Sequence, residues 1–486
     1  MAFVPLSGFA PDQDPATPGL LTDCSAVIPS TRGLEAAPGL LTQGYAALAA
    51  KCLGAAACRL LNNTTRFFAG TQIKLYEGSG GSWSEVTRAA SDYTGGVESL
   101  WRFAQFGNVS LAANTTNLIQ FSVASGVFAD IAGAPAARII ETVDQFVMAF
   151  ATNEATYGDS PDRWWCSAIS DYTNWTPSIA TQCATGRLTS IPGPIRAGRR
   201  LGHTIVAYKG RGIVLGTYTG PPYVWSWNDL PGDIGAVNQE CVVSLGTAHV
   251  FMSPVGFFLF DGANVKEIGT QVKTWWLARV DQPYIHLSKA VHVWDKGLIY
   301  FYYPTAGSPG IPAECLVYNY RKDQWGRDDR AIEAAAEFVS GGVTYHGLGS
   351  LYTTYDDLPT TITYDSPFWT AGSLVPSVFD TAHVLYGLNG TPGNWSLTSG
   401  DYGDDQQISR LSRVRPRFVT KPSSAQLTPS YRMALGDTLI ALPAVSMKRS
   451  RFDVIRAARW HRARLSGTGA MEITGIDADM AGAGRE

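Results

Sequence analysis

The strongest constraint on this chain is a pattern met six times in succession. Three or four short stretches of alternating apolar and polar residues are followed by a turn and a strand led by an aromatic residue. The units begin at Ala57, Trp101, Ile139, Ile205, Val242 and Lys289, and aromatic-led strands follow at Ser82-Trp83, Val127-Phe128, Asn174-Trp175, Trp225-Ser226-Trp227 and Gln324-Trp325. Their spacing, roughly 30 to 50 residues, is the period of four-stranded propeller blades. A lone four-stranded sheet cannot bury both faces, whereas sheets stacked around an axis cover one another and leave only short edges. The expected fold is therefore all-β, with a six- to seven-bladed β-propeller over residues 41–370 and residues 334–369 as the candidate seventh blade.

The flanks differ. Residues 1–40 are dense in Pro, Gly, Ser and Asp without a sustained period, which predicts an extended N-terminal arm. In residues 45–61 the alanines favour a helix, but Gly54 interrupts them and Asn62-Asn63 supplies a hairpin turn, so the second half is expected as a strand. After a break at Thr370-Ala371-Gly372-Ser373, alternating strands resume over residues 371–486 and predict a separate C-terminal β-sandwich-like domain.

That C-terminal part is electrostatically distinct. The whole chain carries 38 Lys+Arg against 41 Asp+Glu, a net charge of −3. Residues 410–464 hold 13 basic residues against Asp437 and Asp453, so 13 − 2 = +11 lies in that block and −14 elsewhere. Arg413, Arg415 and Arg417 are spaced by two, as are Trp460, Arg462 and Arg464, so each set shares one face of its strand. Three uses compete for these arginines: contact with an acidic protein surface, contact with DNA phosphates, or a solvated face. DNA readers add aromatics or a recognition helix to such a patch, and here only Trp460 accompanies the arginines. Asp401, Asp404 and Asp405 lie just upstream, so in a ring of subunits one copy's acids could pair with the next copy's arginines.

No motif in the sequence carries chemistry. The P-loop, dinucleotide, zinc-protease and serine-hydrolase signatures are absent, and no catalytic residue, metal ligand or cofactor is assigned. Ser170-Asp171-Tyr172-Thr173-Asn174-Trp175 echoes a sialidase-type Asp-box once, which predicts a blade turn capped by a buried Trp. The pairs Asp328-Asp329, Asp356-Asp357 and Asp404-Asp405 sit in polar, turn-rich segments and are expected to be solvated. The seven histidines (at 203, 249, 286, 292, 346, 383 and 461) have no ligand spacing and are expected to be satisfied structural residues. The seven scattered cysteines are expected as free thiols. The first residues have no signal-peptide pattern and no apolar run reaches membrane-spanning length, so synthesis in a cytosol without membrane insertion is expected. The N-x-S/T triplets at Asn62, Asn63, Asn108, Asn114, Asn174 and Asn394 are expected as turns.

Several phrases, from FAPDQDPATPGLLTDCSAVIPSTRGLEAAPG through RFFAGTQIKLYEG, DRWWCSAISDYTNWTP and GTAHVFMSPVGFFLFDGANVKEIG to ARWHRARLSGTGAMEITGIDADMAGAGR, resemble the tail nozzle or hub proteins of short-tailed bacteriophages (podoviruses), a group also called packaged-DNA stabilisation proteins. The resemblance covers almost the whole chain in order. It implies a propeller joined to further β-domains and a ring of six copies below the portal and adaptor. It also implies a DNA channel that runs down to a tail needle, tip or fibres, and a place in the virion tail after assembly in the bacterial cytoplasm. Packaged duplex DNA would pass through the lumen without sequence-specific binding, and no catalytic motif is implied. The alternatives are a host-surface or glycan-binding propeller of a tail fibre or spike and, third, a propeller glycosidase.

Overall fold

The computed structural model describes residues 2–308, 310–339, 352, 354–357 and 374–484. Seven sets of four antiparallel strands are found among them. Blade 1 spans residues 54–85, blade 2 102–130, blade 3 136–187, blade 4 195–229, blade 5 242–267 and blade 6 289–327. Blade 7 takes Ala334–Val339, Leu374–Phe379 and Leu385–Gly390 and borrows its outer strand, Gly39–Thr42, from the N-terminal segment. Six of these sheets stand alone, and blade 6 continues into a larger sheet. The first strands of successive blades abut in order, and that of blade 7 abuts that of blade 1, which closes the propeller. Most of the segment expected as a seventh blade, residues 340–369, lies outside the described residues.

Burial follows from this stacking. The second strands, flanked by neighbouring blades on both faces, are largely buried, and Leu298–Pro304 and Val109–Ala113 are buried end to end. The outer strand Ser82–Glu85 is largely exposed. The Asn62-Asn63 hairpin forms as expected: Asn62 Oδ1 accepts the Thr64 N–H at 3.0 Å, and Asn63 takes the left-handed φ of 66°. The Gly54–Arg59 strand precedes it. Gly70 allows Trp101, 2 % exposed, to lie on blade 1, because a Cβ there would come within 2.2 Å of the indole. Arg66 joins blades 1 and 2, pairing with Glu77 at 2.7 Å and donating to Ser122 Oγ at 2.8 Å.

Several blade limits differ from the sequence expectation: blades 1 and 3 begin at Gly54 and Ala136 rather than Ala57 and Ile139, and the outer strand of blade 2 is Ala129–Asp130, just past Val127-Phe128. The first strand of blade 4 is Ile195–Leu201, ahead of the expected start at Ile205. The outer strand of blade 3 is Ala184–Arg187, not the Asn174-Trp175 segment, which lies in the preceding loop.

The N-terminal segment is not an extended arm. Val27–Pro29 pairs with the outer strand of blade 6 and Leu34–Ala36 pairs with Val27–Pro29. The sheet then runs on through Glu472–Gly484, Ile408–Thr420 and Phe452–Ala458 to reach ten strands, with Ala2–Pro5 added against Glu472–Gly484. A second sheet of eight strands contains Gly8–Phe9, Leu20–Ser25, Asn394–Ser399, Trp460–Thr468 and Ser424–Arg432. The two sheets enclose a sandwich core that includes Leu397, Leu411, Val414, Leu427, Phe452 and Leu465, and this core is continuous with that of blades 5 and 6 through Phe9, Trp276 and Trp325. The domain limits at 40 and 370 are thereby corrected. Residues 374–390 belong to the propeller, and the sandwich is built from both ends of the chain.

Candidate interaction surface and axial cluster

On Ile408–Thr420, Leu411, Val414 and Pro416 are buried, and Arg413, Arg415 and Arg417 lie on the opposite face, as their spacing predicts. The neighbouring strand places Asp479 opposite Arg413 and Asp477 opposite Arg415. Arg417 holds Asp477 through two hydrogen bonds of 2.8 and 3.0 Å, and its guanidinium lies 3.9 Å over the Phe3 ring. Arg413 pairs with Asp453 at 3.3 Å. Arg415 has no hydrogen bond or ion pair among the described residues. The +11 block thus stands beside acids that a count over residues 410–464 excludes, and the face alternates in charge.

The second set behaves differently. Arg462 binds Asp401 with two hydrogen bonds of 2.9 and 2.8 Å, and Arg432 reaches the same carboxylate, whose side chain is wholly buried. Asp405 Oδ1 accepts the Trp460 indole N–H at 2.6 Å, and Asp404 Oδ1 caps the Gln406 N–H at 2.8 Å. The acids expected to reach a neighbouring copy are therefore occupied within the chain. They fasten the 401–406 loop over the Trp460–Thr468 strand. Arg464 is the exposed member, and among the described residues it is held only by Ser396 Oγ, at 3.4 Å.

The propeller axis carries a cluster that sequence spacing did not reveal. Glu240, in the turn Gln239–Cys241 before blade 5, contacts Arg102 of blade 2 and Lys289 of blade 6. Burial opposes the Glu240 charge, but Arg102 and Lys289 prevail and hold its carboxyl below the usual range. Burial pulls the Lys289 ammonium down against the pull of Glu240. Beside them Arg199 of blade 4 reaches Glu141 of blade 3 at 3.4 Å and the Val242 carbonyl of blade 5 at 3.2 Å. Burial pushes the Glu141 carboxyl up despite Arg199. These side chains leave an axial cavity of about 170 Å³, walled in part by Ala55, Phe103, Ile140 and Ala335.

The other candidates resolve individually. Asp328 and Asp329 are not solvated: Asp328 is 1 % exposed and pairs with Arg330 at 2.9 Å, and Asp329 pairs with Arg327 at 2.6 Å. Burial raises the Asp328 carboxyl to about 6. Asp356 and Asp357 are exposed in a short 3₁₀ turn. In the Asp-box-like turn, Asp171 Oδ1 accepts from the Thr173 N–H at 2.9 Å and its hydroxyl at 2.6 Å. Trp175 is 3 % exposed in the core between blades, so this turn caps a blade as expected.

Six histidines are described, and each has a polar partner, while His346 lies outside the described residues. All seven cysteines are buried and unpaired. Asn62, Asn114 and Asn174 accept the backbone N–H two residues on, as turn residues do; Asn108 accepts the Leu61 N–H of blade 1 instead, and Asn394, expected as a turn, opens the strand Asn394–Ser399. No group of three or more His, Cys, Asp or Glu side chains that could hold a metal is found among the described residues, and no described helix is long and apolar enough to cross a membrane.

No family model matches the sequence, and no curated protein matches it. Among solved structures, the WD40 domain of Neurospora crassa Pan2 is similar at 7 % identity and a TM-score of 0.39, covering 72 % of this chain and 94 % of that one. An exo-β-1,3-galactanase from Phanerochaete chrysosporium, solved with β-1,3-galactotriose, is similar at 10 % identity and a TM-score of 0.28, covering 91 % of this chain and 100 % of that one. No residue role is carried over from either.

Proposed function

We propose that this chain is a structural, non-enzymatic virion protein, a tail nozzle or hub that forms a ring of six copies, continues the DNA channel below portal and adaptor, retains the packaged genome and conducts it at ejection. The resemblance of its sequence phrases supplies the family. The structural observation that best supports the role is the ten-stranded sheet running from blade 6 into the sandwich, with both chain ends stitched through it. Such continuity couples propeller and sandwich as one rigid body, which suits a part that must hold its shape against pressurised DNA.

The axial cluster supports a conduit that lies outside the propeller axis. A cavity of about 170 Å³, crossed by ion pairs, has no room for a duplex. The channel is therefore the centre of the ring, between copies, and each propeller is a solid building block of its wall. Arg415, half-buried on the alternating face and unpaired among the described residues, is a cation that an acid of a neighbouring copy could meet.

Light scattering and negative-stain imaging of the purified protein, alone and with portal and adaptor proteins of a short-tailed phage, test the proposal. Six-fold rings that join the connector are expected, and Arg415→Glu should weaken them. A protein that stays monomeric and never joins such a complex would refute it. Arg462→Glu is a poor substitute, since it would break the Asp401 network and the fold with it.

A further inference from the structure

The outer face of the eight-stranded sheet carries an ordered polar lattice. Ser25, Ser396, Ser466 and Gln426 form one row across four strands, in register, with Arg464 in the next row between Thr398 and Thr428. Alternate residues of the same strands, Leu397, Leu427 and Leu465, are wholly buried in the core, so the polar set is turned outward by the pleat. Together these side chains line an open groove of about 410 Å³.

Hydrogen-bonding capacity is left over in this groove. Ser25, Ser466 and Gln426 make no side-chain hydrogen bond among the described residues, and Ser396 Oγ engages only Arg464, at the long distance of 3.4 Å. Nearby acids are already committed. Asp401 is held by Arg462 and Arg432, and Asp23, at the end of the Arg464 row, accepts from Arg327 at 3.0 Å. Arg464 is thus a guanidinium without a carboxylate, set among hydroxyls and an amide.

The geometry points to this groove as a binding site for an acidic oligosaccharide, with a carboxylate of the ligand on Arg464 and its hydroxyls on the serine and glutamine row. Guanidinium pairs with carboxylate through two parallel hydrogen bonds, and a flat array of short hydroxyl side chains offers each sugar hydroxyl both donor and acceptor. Protein partners anchor on exposed aromatic or aliphatic side chains of their target; Trp395 lines the groove but is only 3 % exposed, and the outward row is polar. The groove is also of the size that small ligands occupy. This site is independent of ring assembly, and the two stand or fall separately.

Isothermal titration of the full chain with hexagalacturonate, a hyaluronan hexasaccharide and oligosialic acid tests it, with maltohexaose and monomeric galacturonate as controls. At least one acidic oligomer is expected to bind, and more tightly than either control. Arg464→Gln should weaken that binding roughly 10- to 100-fold, the loss expected of a charged hydrogen-bonded pair. Ser466→Leu, which fills the groove at an outward position, should abolish it, with both variants retaining the wild-type circular dichroism. Absence of binding to all three acidic oligomers overturns the assignment. Equal binding of maltohexaose or of the monomer does so too, as does binding that neither substitution changes.

Discussion

Glu240→Gln is the most informative single change to the propeller. Among the described residues Glu240 is the acid in contact with both Arg102 and Lys289, and Lys289 is 2 % exposed, so neutralising it leaves two largely buried cations facing each other at the axis. Breaking a buried ion pair by removing one partner costs about 3–5 kcal/mol, chiefly because the remaining charge stays buried. The cost falls on the contacts among blades 2, 5 and 6, where the ring is tied across its axis. Urea unfolding followed by tryptophan fluorescence should show a loss in that range, and the 14 tryptophans give ample signal. Replacing all three charges, as Arg102→Met, Glu240→Leu and Lys289→Met together, should recover most of the loss, because no charge is then left to desolvate. If Glu240→Gln lies within about 1 kcal/mol of the wild type, or if the triple replacement is no better than the single one, the axial cluster is not what braces the ring.

Other outcomes follow from buried polar groups and the stitched termini. The His249 imidazole is wholly buried, lies 2.8 Å from the Tyr208 hydroxyl and 3.0 Å from the Arg200 carbonyl, and burial lowers it to about 4. The unfolded chain takes up this proton first, near its ordinary 6.5, so the stabilising effect is complete above that pH. It is lost as pH falls through about 4, a change of about 3 kcal/mol. Urea titrations at pH 7, 5 and 4 should show the slope, and His249→Gln should flatten it. Asp401→Asn, which strands Arg432 and Arg462, should cost about 3–5 kcal/mol, whereas Arg464→Gln should change stability by less than about 0.5 kcal/mol, both read by urea unfolding. Phe9→Ala removes a ring that is 1 % exposed and packed edge-on against Trp275 at 5.1 Å. A loss of about 3–5 kcal/mol is expected, where a truly extended arm would lose almost nothing.

Local signals account for what the sequence revealed. Alternation, turn residues such as Asn62-Asn63 and aromatic strand openings such as Ser82-Trp83 are visible within a few residues, so the all-β class and most blades could be read. Strands whose partners lie hundreds of residues away leave no such trace. Leu34–Ala36 is three residues long in a Pro/Gly-rich stretch; it pairs with nearby Val27–Pro29 on one side, and its other partner, Glu472–Gly484, comes from the far end of the sequence. The arginine spacing predicted the outward face of Ile408–Thr420 correctly. It could not disclose that Asp477 and Asp479 arrive alongside on another strand, or that Asp401 is drawn inside by Arg432 and Arg462. Asp328-Asp329 misled for the same reason: adjacent acids suggest solvent until the arginines that bury them, at 327 and 330, are placed around the same turn.

The ladder between Ala2–Pro5 and the strand at residues 475–478 has a temporal meaning as well as a spatial one. Synthesis runs from the N-terminus, so the first strand must wait, unpaired, until nearly all the rest of the chain exists. Blade 7 cannot take on its outer strand until residue 390 has been made. Individual blades can form as they emerge, but the seam joining propeller to sandwich closes last. A prematurely terminated chain would hold exposed strand edges, with the seam between propeller and sandwich left open.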